Sequence, residues 1–411
     1  MATPKLRFKE FDGDWDGLKI KDLVKSLDAG VSVNSEDIQP ESDQYSVLKT
    51  SCISSGYFEE GERKRVLLKV EIERLKERVL DDSILMSRMN TPLLVGRNAY
   101  VLKAPAKTFL PDRLWQLKVN KDRAVTRWLA FYLGSDQGLN QIRDLASGTS
   151  GSMKNITKPD VMNLNLFAPS KEEQTKIASF LSAVDEKISQ LTQKHELLSQ
   201  YKQGMMQKLF SQQIRFKADD CSEFGEWEDI QLKDFLNLTL RPISKPESNY
   251  HALGVRSHFK GLFNKYDSEP EKISMDTLYR VEKDDVVVNI TFAWEGAMAI
   301  AQSEHDQGLV SHRFPTYRCD DNLVNLWFFK YRFVQKDFLS HLQLCSPGGA
   351  GRNRVLNKKA FLEITFSKPC LEEQIKIANF LSAIDQKIEK VAKQVEETKQ
   401  WKQGLLQQMF V

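Results

Sequence analysis

No apolar run in the 411 residues is long enough to cross a bilayer, and no membrane partner is expected. The opening MATPKLRFKEF has no signal-type apolar core, so export is not expected. Five cysteines (Cys52, Cys221, Cys319, Cys345 and Cys370) are scattered without a Cys-x-x-Cys pair. Reduced thiols and a cytoplasmic location are the natural reading. Five of the six histidines fall in the second half, none at metal-ligand spacing, and no metal site is expected. There is no Gly-x-x-x-x-Gly-Lys-Ser/Thr phosphate loop. There is also no Pro-Pro pair, which rules out the Asn/Asp-Pro-Pro-aromatic element of amino-methyltransferases. Pro111-Asp112 and Gln116-Leu117-Lys118 approach a nuclease core, but Gln116 stands where a metal-binding carboxylate would be needed. No catalytic residue is assigned. A net charge of +3 argues against binding that is mainly electrostatic.

What the chain has is a duplication. KEEQTKIASFLSAVDEKISQLTQKHELLSQYKQGMMQKLF, from Lys171 to Phe210, returns as LEEQIKIANFLSAIDQKIEKVAKQVEETKQWKQGLLQQMF, from Leu371 to Phe410. The offset is a constant 200, and 20 of 40 aligned positions are identical without a gap. A long fixed period is an architectural statement. It predicts a pseudo-twofold tandem repeat, each half a variable part followed by one long helix. The expected boundaries are 1–169 and 215–369 for the variable domains, and 170–214 and 370–411 for the helical spacers.

The repeat extends into the variable parts in outline. Gly13-Asp14-Trp15 answers Gly225-Glu226-Trp227, and Leu48–Phe58 answers Leu253–Phe263. A strand is expected after Asp81-Asp82 and after Asp284-Asp285, and an aromatic amphipathic helix over 128–133 and 326–331. Each part then runs through a Gly-rich loop, 148–151 or 347–351, a short apolar strand and a proline. Mixed periods make each variable domain α+β (α/β), roughly 150 residues long. The long segments carry a heptad seam. It runs through Ile177, Leu181, Val184, Ile188, Leu191, Leu198 and Met205, and through Ile377, Leu381, Ile384, Ile388, Val391, Val395 and Leu405. Each helix would span ~58 Å. Antiparallel packing of the two copies into a coiled coil is favoured; the alternative is that each helix packs on its own domain. Ser170-x-x-Glu173 has the form of a capping box, with Cys370 replacing the serine in the second copy. Gly204 and Gly404 suggest a close approach of two backbones.

The repeated Glu-Glu-Gln-x-Lys-Ile-Ala-x-Phe-Leu-Ser-Ala-x-Asp-x-Lys-Ile, followed by aromatic-Lys-Gln-Gly and a terminal Phe, resembles the specificity subunit of type I restriction-modification systems. The resemblance covers the whole chain. It implies two target recognition domains, each reading half of a bipartite, asymmetric site in double-stranded DNA. It implies an antiparallel coiled coil that sets the half-site spacing. Two modification subunits would dock on it and methylate adenine, and two restriction subunits would complete an ATP-dependent nuclease. S-adenosylmethionine, ATP and Mg would belong to those partners, with no cofactor on this chain. The competing readings are a coiled-coil adaptor with two protein-binding domains and no DNA role, and an enzyme in its own right.

Bases are read by polar side chains on loops that the fold holds. In the first domain these are expected to be Lys49, Ser51, Arg88, Asn90, Lys154 and Asn155. In the second they are Arg256, His258, Lys260, Thr291, Trp294, Arg352, Asn353 and Arg354.

Overall fold

The paired aspartates of each half lead into a strand buried on both faces. In the computed structural model, which describes residues 3–148, 153–348 and 354–411, these strands are Ser83–Ser87 and Val286–Val288. Successive side chains point to opposite faces of a strand. Ile84 and Met86 therefore join the main core of their unit, while Leu85 joins a smaller core with Leu48, Cys52 and Ile53. Val286 and Val288 do the same in the second half, with Val287 facing Leu253 and Val255.

The chain divides into two compact units, Met1–Gln193 with Ala392–Val411, and Lys194–Val391. In the first, an antiparallel sheet runs Val24–Ala29, Leu114–Val119, Ser83–Ser87, Asn98–Val101. A three-stranded sheet, Arg63–Val66, Tyr45–Leu48 and Thr108–Phe109, carries one parallel pairing. The second unit repeats the antiparallel sheet as Leu236–Leu238, Thr316–Cys319, Val286–Val288, Met298–Ile300. Its other sheet grows to five strands. In each unit a two-stranded ribbon, Asp16–Lys19 with Asn165–Ala168 or Glu228–Gln231 with Thr365–Lys368, delivers the chain to a long helix.

Those helices are Lys171–Phe210, 40 residues, and Leu371–Met409, 39 residues. They pack together, and each unit holds the start of one and the end of the other. In the first unit Arg7 meets Glu173, while its neighbour Leu6 donates its N–H to the Gln408 carbonyl at 2.9 Å. Farther along, Asp185 meets Lys402, so the two segments run in opposite directions. The seam residues Ile177, Leu181, Val184, Ile188, Leu191, Ile377, Leu381, Ile384, Val391 and Leu405 are buried. Leu198, Met205, Ile388 and Val395 are half-buried.

The geometry explains the repeated letters. Glu173 receives Arg7 on both oxygens, each at 2.8 Å, and Glu373 receives Arg215 at 3.2 and 2.7 Å. Ser170 Oγ does accept the Glu173 N–H at 3.3 Å. The glutamate itself turns to the arginine, so the cap is one half of the expected box. Gln174 and Gln374 accept the N–H of Val125 (2.9 Å) and Asn325 (2.8 Å), and so tie down the helices Thr126–Gly134 and Leu326–Phe333. The Lys of Lys-Gln-Gly crosses to the Asp of the other copy: Lys402 to Asp185 and Lys202 to Asp385, both at 2.6 Å.

Three expectations need correction. Trp128 to Leu133 are buried without interruption, so that helix is not amphipathic. It is covered by its sheet and by aromatic contacts from Trp15 and Phe410. Gly204 and Gly404 face open space, with nothing within 4 Å of a Cβ built there, so no second backbone approaches them. Helices Lys158–Met162 and Lys358–Leu362 stand between each Gly-rich loop and its strand. Thr157 and Asn357 cap them by accepting N–H groups of the first turn.

His305 is buried, and its Nδ1 accepts the Gln302 N–H at 3.0 Å. Burial lowers its pKa, with nearby His251 acting in the same sense and Glu304 against it. The neutral ring is the folded form. Its contribution should be complete above the ordinary imidazole value of about 6.5 and should vanish as pH falls through the lower folded-state value. Urea midpoints of the second unit should therefore drop on acidification, and His305→Gln should shrink that drop. An unchanged slope in the variant would exclude the histidine as its source.

Candidate nucleic-acid interface

In the first unit Met89–Asn90 pairs with Lys154–Asn155, an antiparallel ribbon of two residues each. Arg88 adjoins it, its carbonyl accepting the Ile156 N–H at 3.0 Å. Four predicted residues, Arg88, Asn90, Lys154 and Asn155, are thus brought together. Lys154 Nζ reaches the Gly148 carbonyl at 3.3 Å. Asn90 uses its amide locally, on Ser87 Oγ and the Thr91 N–H. Among the described residues, Arg88 Nε and Asn155 Oδ1 are buried without a partner. Such groups are uncommon and call for a ligand or a water.

Lys49 and Ser51 lie on a separate turn after strand Tyr45–Leu48, and their polar tips are engaged. Lys49 Nζ is 2.6 Å from Asp37, whose hydrogen bond raises the lysine's pKa. Ser51 donates to Glu62 at 2.5 Å. A phosphate approaching Lys49 would have to displace a carboxylate.

The second unit places its candidates on two interlocked loops. Arg256, His258 and Lys260 are exposed. His258 and Phe259 both take left-handed backbone, φ 60° and 54°, which costs of order 1 kcal/mol or more per non-glycine residue. The neighbouring loop holds them: His258 N–H donates to Glu295 O at 2.7 Å and Phe259 N–H to Gly296 O at 2.8 Å. Gly296, at φ 74°, cannot carry a Cβ, which would fall 2.8 Å from the Phe259 ring. Trp294 Nε1 donates to the Thr291 carbonyl at 3.2 Å, and the Arg354 guanidinium lies 5.3 Å from the Trp294 ring centre. The predicted Thr291, Trp294 and Arg354 therefore form one cluster beside the 256–261 loop. Arg352 and Asn353 lie outside the described residues.

The two surfaces share a backbone scheme. Arg88 N–H donates to Arg113 O at 3.1 Å, and Ile290 N–H to Arg313 O at 3.0 Å. On the other side Ile156 donates to Arg88 O and Leu356 to Ile290 O. Arg113 and Arg313 are exposed, and sequence reasoning passed over both. The signal was present, since their offset is the same 200 that relates the long helices.

Gln116 is buried and fully used. It accepts from Leu80 N–H and Ser83 Oγ, and donates to Glu77 and the Arg78 carbonyl. Its role is structural. Among the described residues no group of three or more His, Cys, Asp or Glu side chains could hold a metal, and no helix is long and apolar enough to cross a membrane.

Residues 12–200 and 225–398 match the family model of the type I restriction modification DNA specificity domain. A candidate specificity subunit of the type I restriction enzyme MjaX, from Methanocaldococcus jannaschii, is 25% identical over 424 residues. That alignment covers 98% of this chain and 94% of the relative. The HindI specificity subunit of Haemophilus influenzae is 28% identical over 139 residues, 33% of this chain and 30% of that one. The solved S subunit of a type I restriction-modification system from M. genitalium superposes with a TM-score of 0.62. Its identity is 19%, over 100% of this chain and 99% of that one. A structure addressing complex assembly in a type I system gives a TM-score of 0.52 at 16% identity, over 97% of this chain and 98% of that one. At these identities the two structures speak for the fold alone.

Proposed function

From the premise that the chain belongs to the type I restriction-modification DNA specificity family, as a specificity subunit of such a system, we propose that each unit reads one half of a split, asymmetric DNA sequence. The observation that carries this reading is one backbone scheme bearing different polar side chains. Arg88 in one unit stands where Ile290 stands in the other, and Lys154 where Arg354 stands. Two surfaces with one skeleton and different donors and acceptors suit two different half-sites. The recognition domains are taken as 1–169 and 215–369, with 170–214 and 370–411 as the helical spacer that sets half-site separation. Two modification subunits would dock on this chain and methylate adenine, with S-adenosylmethionine bound to them. Restriction subunits would bring ATP and Mg. This chain would supply the address and none of the covalent chemistry.

Methylation mapping of DNA from cells carrying only this chain and its modification subunit should reveal a bipartite motif. A continuous motif, or none, would overturn the reading. Arg354→Ala should weaken binding by roughly 10- to 100-fold, the usual worth of a base-contacting arginine, and relax the sequence of one half only. Equal losses on scrambled duplex would reassign Arg354 to phosphate.

A further inference from the structure

The strands that carry the candidate reading surfaces of the two units differ in nearly every side chain. Between 110–119 and 310–319, the aligned strands and the turns before them, only one of ten positions is identical, Arg113 and Arg313. Both arginines are exposed, so burial does not account for their retention. Among the described residues neither guanidinium makes an ion pair or a hydrogen bond within the protein, so neither serves the fold that way. Both occupy the same point of the same ladder: the arginine carbonyl accepts the N–H of residue 88 or 290. That residue's carbonyl in turn accepts from the segment after Lys154-Asn155 or Arg354. Each arginine therefore stands one strand from its unit's candidate reading cluster.

Surfaces that read different sequences must differ in the groups that read. A free cation retained while its neighbours changed meets something the two half-sites have in common. The sugar-phosphate backbone is that common element, and contacts to it fix register without carrying sequence information. We propose that Arg113 and Arg313 are matched phosphate contacts, one per unit, that position each half-site against its reading loops. The proposal rests on the split-site reading above and adds the residues that make binding partly independent of sequence.

The test uses the full chain assembled with its modification subunit, and duplexes carrying the mapped motif or one scrambled half. Arg113→Ala and Arg313→Ala are each titrated across salt. Each variant should flatten the dependence of log binding constant on log salt by ~0.9. Raising salt from about 50 to about 200 mM should then cost roughly 3.5-fold less affinity than in the unaltered complex. Affinity for matched and scrambled duplexes should fall by a common factor, with the methylated motif unchanged. Arg113→Lys and Arg313→Lys should keep the original slope, because a point charge suffices for a phosphate but not for bidentate base reading. A motif relaxed in one half would overturn the proposal in favour of base contact. Unaltered slope and affinity in both alanine variants would also overturn it, while leaving split-site recognition intact. If the unaltered complex shows no preference for the motif, the underlying reading fails as well.

Discussion

Deleting Ala392–Val411 should unfold the first unit and leave the second with its own cooperative transition. The deleted segment carries Leu405, Met409 and Phe410, all at least 94% buried in the core of the first unit. Phe410 packs on Trp128 and Tyr132, with ring centres 6.2 and 5.9 Å apart. It also carries Lys402, the partner of Asp185. At ~2–5 kcal/mol for each large side chain withdrawn from a core, the loss is on the order of 10 kcal/mol. A whole domain is stable by only about 5–15 kcal/mol. Hydrogen exchange read by mass spectrometry should show deprotection over 3–193 and protection over 194–391. A synthetic peptide spanning 392–411 should restore protection when added in excess. Protection that survives the deletion would mean that the first unit holds its core without the second helix.

The next largest effect is expected at Arg215. Its guanidinium grips Glu373, whose side chain is 0% exposed, and also donates to the Gly225 carbonyl at 2.6 Å. The hydrogen bond to Glu373 raises the arginine's pKa against a smaller opposing effect of burial. Arg215→Ala would strand a buried carboxylate, and breaking such a pair costs about 3–5 kcal/mol. Denaturant unfolding should register that loss in the second unit. Arg215→Lys should recover only part of it, since an ammonium cannot satisfy both oxygens in the same planar geometry. Adding Glu373→Gln to Arg215→Ala should recover stability, because the stranded charge is then gone. A loss below about 1 kcal/mol for Arg215→Ala would reduce the pair to a surface contact.

Much of the scaffold was legible because it is written twice. The seam from Ile177 to Leu191 follows from heptad spacing, and the strands after the paired aspartates follow from Ile84-Leu85-Met86 and Val286-Val287-Val288. The arginine clamps, Arg7 on Glu173 and Arg215 on Glu373, were harder to see. Leu6-Arg7-Phe8-Lys9 and Ile214-Arg215-Phe216-Lys217 share Arg-Phe-Lys, but at an offset of 208 rather than 200. The residues between each clamp and its sheet differ in number, which hides the match behind the register set by the helices. The unbroken burial of Trp128 to Leu133 could not be read from their own letters, because it depends in part on Phe410 arriving from far along the chain. The candidate reading surface was legible only in part. Arg88, Asn90, Lys154 and Asn155 converge because a two-residue ribbon joins segments more than 60 positions apart. Lys49 is expected from its loop position to read bases, yet it pairs with Asp37, 12 residues earlier, a spacing with no helical or strand period to reveal it. The left-handed turn at His258-Phe259 has no glycine or asparagine to announce it. It is imposed by two carbonyls of the neighbouring loop.

The division of the long helices between units also sets an order of events during synthesis. The second unit, Lys194–Val391, is one uninterrupted stretch of chain and has all its parts once residue 391 has left the ribosome. The first unit, although made first, lacks residues 392–411 until then. Chains with several domains usually fold from the N-terminus onward. Here the earlier-made unit must wait, with Trp128 and Tyr132 lacking the Phe410 ring that covers them, for a helix end translated about 280 residues after they are. During that interval it is the part of the newborn protein most in need of a chaperone.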